Sequence, residues 1–242
     1  MTIYAVGLGP GDPEYLAPMA REAILGCEVI AGYDGYMGLI PDLTRGKELI
    51  STGMRGETDR CAAAVSEALA GRRVAVVSGG DSGIYGMASL LYELTESEPS
   101  LDIEVIPGIT AATSAAAVLG SPLGNDFAAI SLSDLLTPWD VIEKRLEACG
   151  AADMVICLYN PKSRNREDRL EKACNILLKR LPPDTVCGYV RNAFRGGDKA
   201  RAVCGLAALP FEEVNMFTTV IIGNSATRLI KGKMVTARGY LK

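Results

Sequence analysis

The sequence predicts an α/β protein built as two α/β domains, and three observations carry that expectation. Short apolar runs alternate with longer segments whose apolar residues recur every third or fourth position, as in strands joined by helices. The best-defined run, residues 74–77, ends in Ser78-Gly79-Gly80-Asp81 before a helical pattern begins. A strand, a glycine turn and a helix mark the place where open α/β sheets bind ligands. The pattern then breaks at Gly120-Ser121-Pro122 and restarts, which divides the chain into domains of residues 1–120 and 121–242. A chain of 242 residues fills one large or two small α/β domains, each with an adequate core.

The first domain opens with a strand over 2–8 and the turn Gly9-Pro10-Gly11-Asp12-Pro13. A helix follows over roughly 14–27, then a short strand over 28–31 and the loop Gly32-Tyr33-Asp34-Gly35-Tyr36. Residues 47–51 form the next strand. Thr52-Gly53-Met54-Arg55 leads into a helix whose apolar face carries Cys61, Ala64, Val65, Ala68 and Leu69. The uninterrupted apolar run 74–77 suits a strand buried on both faces, and Gly79-Gly80 frees the backbone for a sharp turn and close approach. From Ile84 the spacing of Met87, Leu90, Leu91 and Leu94 is helical. The last strand, 103–106, ends in Pro107-Gly108-Ile109-Thr110, and a small-residue helix runs to 119. Thr110 suits the N-cap of that helix, and the small residues after it leave room for a flat ligand.

The second domain restarts with a strand over 127–131. Thr137 reads as an N-cap with Pro138 at the first helical position, and the helix continues to 149. A strand over 153–158 runs into Tyr159-Asn160-Pro161-Lys162-Ser163-Arg164-Asn165-Arg166. A helix to 181, a strand over 185–190 and the turn Arg191-Asn192-Ala193 follow. Residues 199–206 read as an extended antiparallel piece, 216–222 as a strong strand and 230–236 as an edge strand.

Composition narrows the function. With 25 basic and 29 acidic residues the net charge is −4, so no global basic field points to nucleic acid. No apolar run approaches the ~20 residues of a membrane span, and the N-terminus enters a strand rather than a signal peptide. A cytoplasmic chain with no membrane partner is expected. Cys27, Cys61, Cys149, Cys157, Cys174, Cys187 and Cys204 form no C-x-x-C pair and read as free buried thiols, so no protein-bound metal is expected. The chain has no histidine, which removes the usual general base and any Ser-His or Cys-His pair. Chemistry must then come largely from a bound cofactor or a reactive substrate, which fits group transfer better than hydrolysis. Gly7-x-Gly9 begins a dinucleotide fingerprint, but Asp12 replaces its third glycine and Pro10 removes a donor, so NAD and FAD are rejected.

Gly7-x-Gly9-Pro10-Gly11-Asp12, Gly79-Gly80-Asp81 and Pro107-Gly108-Ile109-Thr110-Ala111 resemble, in order and spacing, the signature of the tetrapyrrole methylases. These are S-adenosylmethionine-dependent enzymes of corrin and sirohaem synthesis, and the resemblance covers essentially the whole chain. Each motif alone is weak, whereas three in register are strong. Ser82 departs from the family, many of whose members carry proline there. Ser131-Leu132-Ser133-Asp134-Leu135-Leu136-Thr137-Pro138-Trp139, Tyr159-Asn160-Pro161-Lys162-Ser163 and Arg238-Gly239-Tyr240 resemble the branch that methylates C17 of precorrin-3B.

The resemblance implies the tetrapyrrole methylase fold, an active site in the cleft between two α/β domains, and a homodimer. It implies that S-adenosylmethionine is contacted by Pro10, Gly79, Gly80, Asp81, Ile84, Thr110 and Ala111, and by Tyr159, Asn160, Ala193, Thr218 and Thr219. Methyl transfer from a sulfonium needs orientation and water exclusion more than a side-chain base, and alignment alone supplies ~7–11 kcal/mol. The acceptor is a tetrapyrrole with many carboxylates. Arg55, Arg60, Lys162, Arg164, Arg166, Arg191 and Arg195 lie at predicted loops or helix starts suited to them, though each alone reads equally as a surface charge.

The implied reaction is C17 methylation coupled to ring contraction of a precorrin-3B or cobalt-factor III macrocycle in cobalamin biosynthesis. Its proton transfers have Tyr33, Asp34, Tyr36, Ser133, Asp134 and Lys162 as candidates, and the sequence does not choose among them. Rival readings are a sister methylase acting at C2, C11 or C20, a diphthine synthase, and a non-catalytic tetrapyrrole carrier. Seven thiols sit awkwardly with oxidising conditions, which favours the cobalt-containing substrate over the metal-free one.

Overall fold

In the computed structural model, which describes residues 1–163 and 166–240, the chain divides into two compact units, Met1–Thr110 and Ala111–Lys242. The first holds a parallel sheet of β1 (Thr2–Gly7), β2 (Val29–Tyr33), β3 (Glu48–Thr52), β4 (Val74–Ser78) and β5 (Asp102–Ile106). Their spatial order is β3-β2-β4-β1-β5. All of β4 is buried, as an uninterrupted apolar run requires when both sheet faces are covered. On one face Ile3, Val29, Val74 and Val76 join residues of α4 (Glu57–Leu69) and α5 (Ala88–Leu94). On the other Val6, Ile30, Ala75 and Val77 meet α1 (Pro18–Gly26), α2 (Asp34–Met37) and α3 (Pro41–Thr44). Each fully buried aliphatic side chain contributes ~1.5–3 kcal/mol.

Two helix starts in this unit differ from the sequence expectation. The helix expected over 14–27 is a 3-10 turn at Pro13–Tyr15 followed by α1, with Pro18 at its first position. Proline lacks the N–H and disfavours helical backbone before it, so the helix starts there. The helix expected from Ile84 starts at Ala88, because Tyr85 adopts φ 55°. The short α2 and α3 occupy a stretch given no regular structure from the sequence.

The second unit opens with α6 (Ala111–Leu119) and β6 (Gly120–Ser121). Its main sheet contains β7 (Phe127–Ser131), β8 (Val155–Tyr159), β9 (Val186–Arg191), β10 (Ala200–Gly205) and β11 (Thr218–Ile222), in the order β10-β9-β11-β8-β7. Helices α7 (Trp139–Ala151) and α8 (Arg169–Leu177) cover one face through Ile142, Leu146, Leu170 and Leu177. On the other face Ala112, Ala115 and Leu119 of α6 pack with Val155, Cys157, Val190 and Ile221. The small-residue helix therefore belongs to the second unit, and the sequence break at Gly120-Ser121-Pro122 falls inside that unit. Gly120 enters β6 there at φ 142°, where a Cβ would lie 2.6 Å from the Met234 carbonyl oxygen.

The single edge strand expected over 230–236 is a hairpin of β12 (Thr227–Ile230) and β13 (Lys233–Thr236), and β13 also pairs with β6. Lys231 and Gly232 turn it with φ of 52° and 70°. Two positive φ values are the signature of a tight hairpin turn, normally announced by Asn-Gly. At α7 the Pro138 carbonyl accepts the N–H groups of Val141 and Ile142, so Pro138 rather than Thr137 is the N-cap. All seven cysteines are free, five of them buried. Cys187 and Cys204 oppose each other across β9 and β10 with their sulfurs 3.7 Å apart. Among the described residues no helix is long and apolar enough to cross a membrane.

Candidate functional site

In the first unit, parallel pairing brings the loops after β1, β4 and β5 to one edge of the sheet. These loops bind one another through backbone. Leu8 N–H reaches the Ser78 carbonyl at 2.9 Å, and Gly9 and Gly80 exchange two hydrogen bonds of 2.9 and 2.8 Å. Asp81 joins the third loop: Oδ1 accepts the Gly83 N–H at 2.8 Å and Oδ2 the Gly108 N–H at 2.9 Å. Such contact tolerates no side chain. A Cβ on Gly108 would lie 2.1 Å from the Gly80 oxygen, and one on Gly7 would lie 2.6 Å from the Gly108 nitrogen. Gly80 also needs its φ of 73°.

The first things to approach these glycines are thus neighbouring loops. A Cβ on Gly79 would lie 2.5 Å from the Tyr36 ring, which meets the Tyr33 ring edge-on at 5.3 Å. Pro10 follows in the turn after Gly9. Ile84 and Ile109 remain 40% and 39% exposed and give the loops an apolar lining. Ser82 is fully buried, and among the described residues its Oγ has no hydrogen-bond partner. Asp34, at the end of β2, accepts a hydrogen bond from Ser51 Oγ on β3. Thr110 closes this unit.

In the second unit, β8 and β9 both run antiparallel to β11, while β7 runs parallel to β8. The ends of β7, β8 and β9 and the start of β11 therefore share one edge, which collects Ser131, Tyr159, Ala193 and Thr218. Ala111 begins α6, and the next N–H, of Ala112, donates to the Tyr159 hydroxyl at 2.9 Å. Asn160 takes φ 51°, a conformation asparagine tolerates, and its Nδ2 donates to Ser131 Oγ at 2.9 Å. Thr218 Oγ1 is engaged with Asn215, accepting its N–H at 3.1 Å, and Thr219 is buried in β11.

Asp134 is an anchor. Arg169 Nη2 lies 2.7 Å and Arg166 Nη1 3.6 Å from its carboxylate. Burial acts to raise its pKa, but the hydrogen bonds from Arg169 and the loop backbone, with both cations, outweigh burial and hold it below the ordinary value. It stays ionised at neutral pH and donates no proton there. Ser133 is held by Arg166 Nη1. Arg169 also lies over the Trp139 ring at 4.8 Å. This Asp134–Arg166–Arg169–Trp139 constellation was not legible in the sequence, where Asp134 and Arg169 stand far apart.

The candidate cations separate accordingly. Arg166 and Arg191 are engaged, Arg191 with Asp198 at 2.6 Å and the Glu213 carbonyl at 3.0 Å. Arg195 lies over the Phe217 ring. Arg60 lies near the start of α4, as expected, and is buried there rather than a surface charge. Arg55 is exposed with φ 70°, and Lys162 is half-buried with no ion pair among the described residues. Arg164 lies outside the described residues.

The family profile for Tetrapyrrole (Corrin/Porphyrin) Methylases matches residues 2–201. The "Probable cobalt-factor III C(17)-methyltransferase" of Salmonella typhimurium is 47% identical, covering 97% of this chain and 98% of that protein. The "Cobalt-factor III methyltransferase" of Priestia megaterium is 44% identical over 98% of this chain, which spans only 45% of that longer relative. The solved structure of "the methyltransferase CobJ" superposes with a TM-score of 0.91 at 37% identity and covers 98% of each chain.

Proposed function

The chain belongs to the Tetrapyrrole (Corrin/Porphyrin) Methylases, and from that premise we propose that it methylates C17 of a precorrin-3-level macrocycle, with ring contraction, in cobalamin biosynthesis. The observation that carries this reading is the three-loop junction of the first unit. It stands intact in a chain 47% identical, over nearly its whole length, to a protein named as a cobalt-factor III C17-methyltransferase.

The methyl donor is S-adenosylmethionine, whose sulfonium supplies the driving force of the transfer. The chain's residues orient it and keep water out. Pro10, Gly79, Gly80, Asp81, Ile84 and Thr110 contact it from the first unit, with Ile84 and Ile109 as apolar surface. Ala111, Tyr159, Asn160, Ala193, Thr218 and Thr219 contact it from the second, Thr218 through backbone because its hydroxyl is engaged. Ser133 and Asp134 hold the loop after β7, which leaves Tyr33, Asp34, Tyr36 and Lys162 to hold and move protons. The working form is a homodimer. The acceptor is the cobalt-containing macrocycle, in line with the two relatives named for cobalt-factor III.

The test offers cobalt-factor III and precorrin-3B in parallel with labelled donor and weighs the products. A gain of one methyl on the cobalt species alone is expected. Gain only on the metal-free species reverses the choice of substrate, and gain on neither returns the sister-methylase reading.

A further inference from the structure

We infer that Arg60, positioned by the Thr52 hydroxyl, which itself faces the Gly53 and Gly56 carbonyls, forms a carboxylate-binding site at the N-terminus of α4 that takes one carboxylate side chain of the macrocycle. This rests on the methyltransferase reading above. Arg60 is 4% exposed. Its guanidinium makes one hydrogen bond, from Nη1 to Thr52 Oγ1, and its buried Nε has no partner among the described residues. No carboxylate forms an ion pair with it among those residues, whereas Arg72, Arg169 and Arg191 each have two. A buried cation with no carboxylate partner opposes folding, so its retention points to an anion that arrives later.

The surroundings suit that anion. Helix α4 is 13 residues long and its N-cap is Gly56, with no side-chain cap, so first-turn N–H groups lack intrahelical acceptors. A Cβ on Gly56 would lie 2.5 Å from Thr52 Oγ1, so the glycine keeps space for the hydroxyl. Glu57 and Asp59 share this turn, yet neither lies within ion-pair distance of Arg60. Thr52 ends β3, on the edge that carries the glycine loops, and the order β3-β2-β4 sets it two strands from Ser78. At ~4.8 Å per strand that is about 10 Å, a span suited to a macrocycle whose reacting carbon lies by the loops and whose carboxylate reaches outward. A guanidinium fork matches a carboxylate in two parallel hydrogen bonds.

Titrations of cobalt-factor III, followed by absorbance, and of S-adenosylhomocysteine, followed by calorimetry, test this on the wild type, Arg60→Gln, Arg60→Lys and Thr52→Val. Arg60→Gln should weaken the macrocycle at least tenfold, and Arg60→Lys should recover part of the loss. S-adenosylhomocysteine affinity should stay within twofold throughout. A folded Arg60→Gln with wild-type macrocycle affinity overturns the site. Should Arg60→Gln not fold, Thr52→Val decides: macrocycle affinity lowered threefold or more supports the site, and unchanged affinity overturns it. A wild type that binds no macrocycle sinks the methyltransferase reading, and this site with it.

Discussion

Replacing Gly108 by alanine tests whether the three loops of the first unit are held backbone to backbone. The new Cβ would sit 2.1 Å from the Gly80 oxygen and 2.8 Å from the Gly7 carbonyl carbon, against 3.4 Å or more for ordinary contact. Both neighbours are backbone, so relief needs a shift of more than about 1 Å between loops, beyond what hydrogen bonds tolerate. Overpacking costs about 1–3 kcal/mol. The Gly108–Asp81 bond and the two bonds of the Gly9–Gly80 pair add roughly 1 kcal/mol each when lost. The total is about 4–6 kcal/mol. With a urea slope of ~1–3 kcal/mol per molar, the unfolding midpoint should fall by about 1 M or more. Calorimetric titration should show S-adenosylhomocysteine affinity down at least tenfold. Gly26→Ala is the matched control: a Cβ there meets nothing within 4 Å at the end of α1, and stability should hold or rise slightly. A Gly108→Ala protein indistinguishable from Gly26→Ala in midpoint and affinity would refute the reasoning.

The buried thiols predict an alkaline limit. Burial pushes Cys27 and Cys61 up to about 11 and Cys157 and Cys174 up to about 12. The native state keeps these protons after the unfolded chain, with thiols near 8.5, has lost them. Stability is therefore complete below about pH 8.5 and falls above it by on the order of 1 kcal/mol per pH unit per thiol. Urea midpoints in reductant from pH 8 to 10.5 should decline steadily, and a flat profile contradicts this. Asp134 works at the other end: its lowered pKa stabilises the fold above the unfolded value near 4, and this is lost as pH falls through the folded value. Asp134→Asn should lower the unfolding free energy at neutral pH by about 1–2 kcal/mol and flatten the loss below pH 4; equal acid profiles in the two proteins count against the anchor role. Tyr159→Phe removes the acceptor of the Ala112 N–H and should cost about 1–2 kcal/mol in thermal unfolding, with no change contradicting that bond.

Much of this was legible in the sequence. The strands 74–77 and 103–106 and the helix carrying Cys61, Ala64 and Ala68 follow from apolar period, because burial on two faces or one stripe leaves no other pattern. Positions decided by single backbone torsions did not show. Tyr85 at φ 55° delays α5, and Lys231-Gly232 turns a hairpin without the usual asparagine. The loop glycines were visible as a site, but their sequence reading was room for a ligand. Their first partners are one another and Tyr36, a long-range contact that local pattern does not encode. The surroundings of Asp134 and Arg60 stayed hidden for the same reason. A charge in a loop motif reads as reactive or exposed, and only tertiary pairing shows that Arg166 and Arg169 fix the first and that burial isolates the second.

The most direct test of the central claim follows the methyl carbon itself. Incubation of the chain with cobalt-factor III and S-adenosylmethionine labelled with carbon-13 in its methyl group, followed by carbon NMR of the product, locates the transferred group. One labelled methyl bonded to C17 of a contracted ring is the predicted result. A label on C2, C11 or C20, or a macrocycle recovered without label, would contradict it.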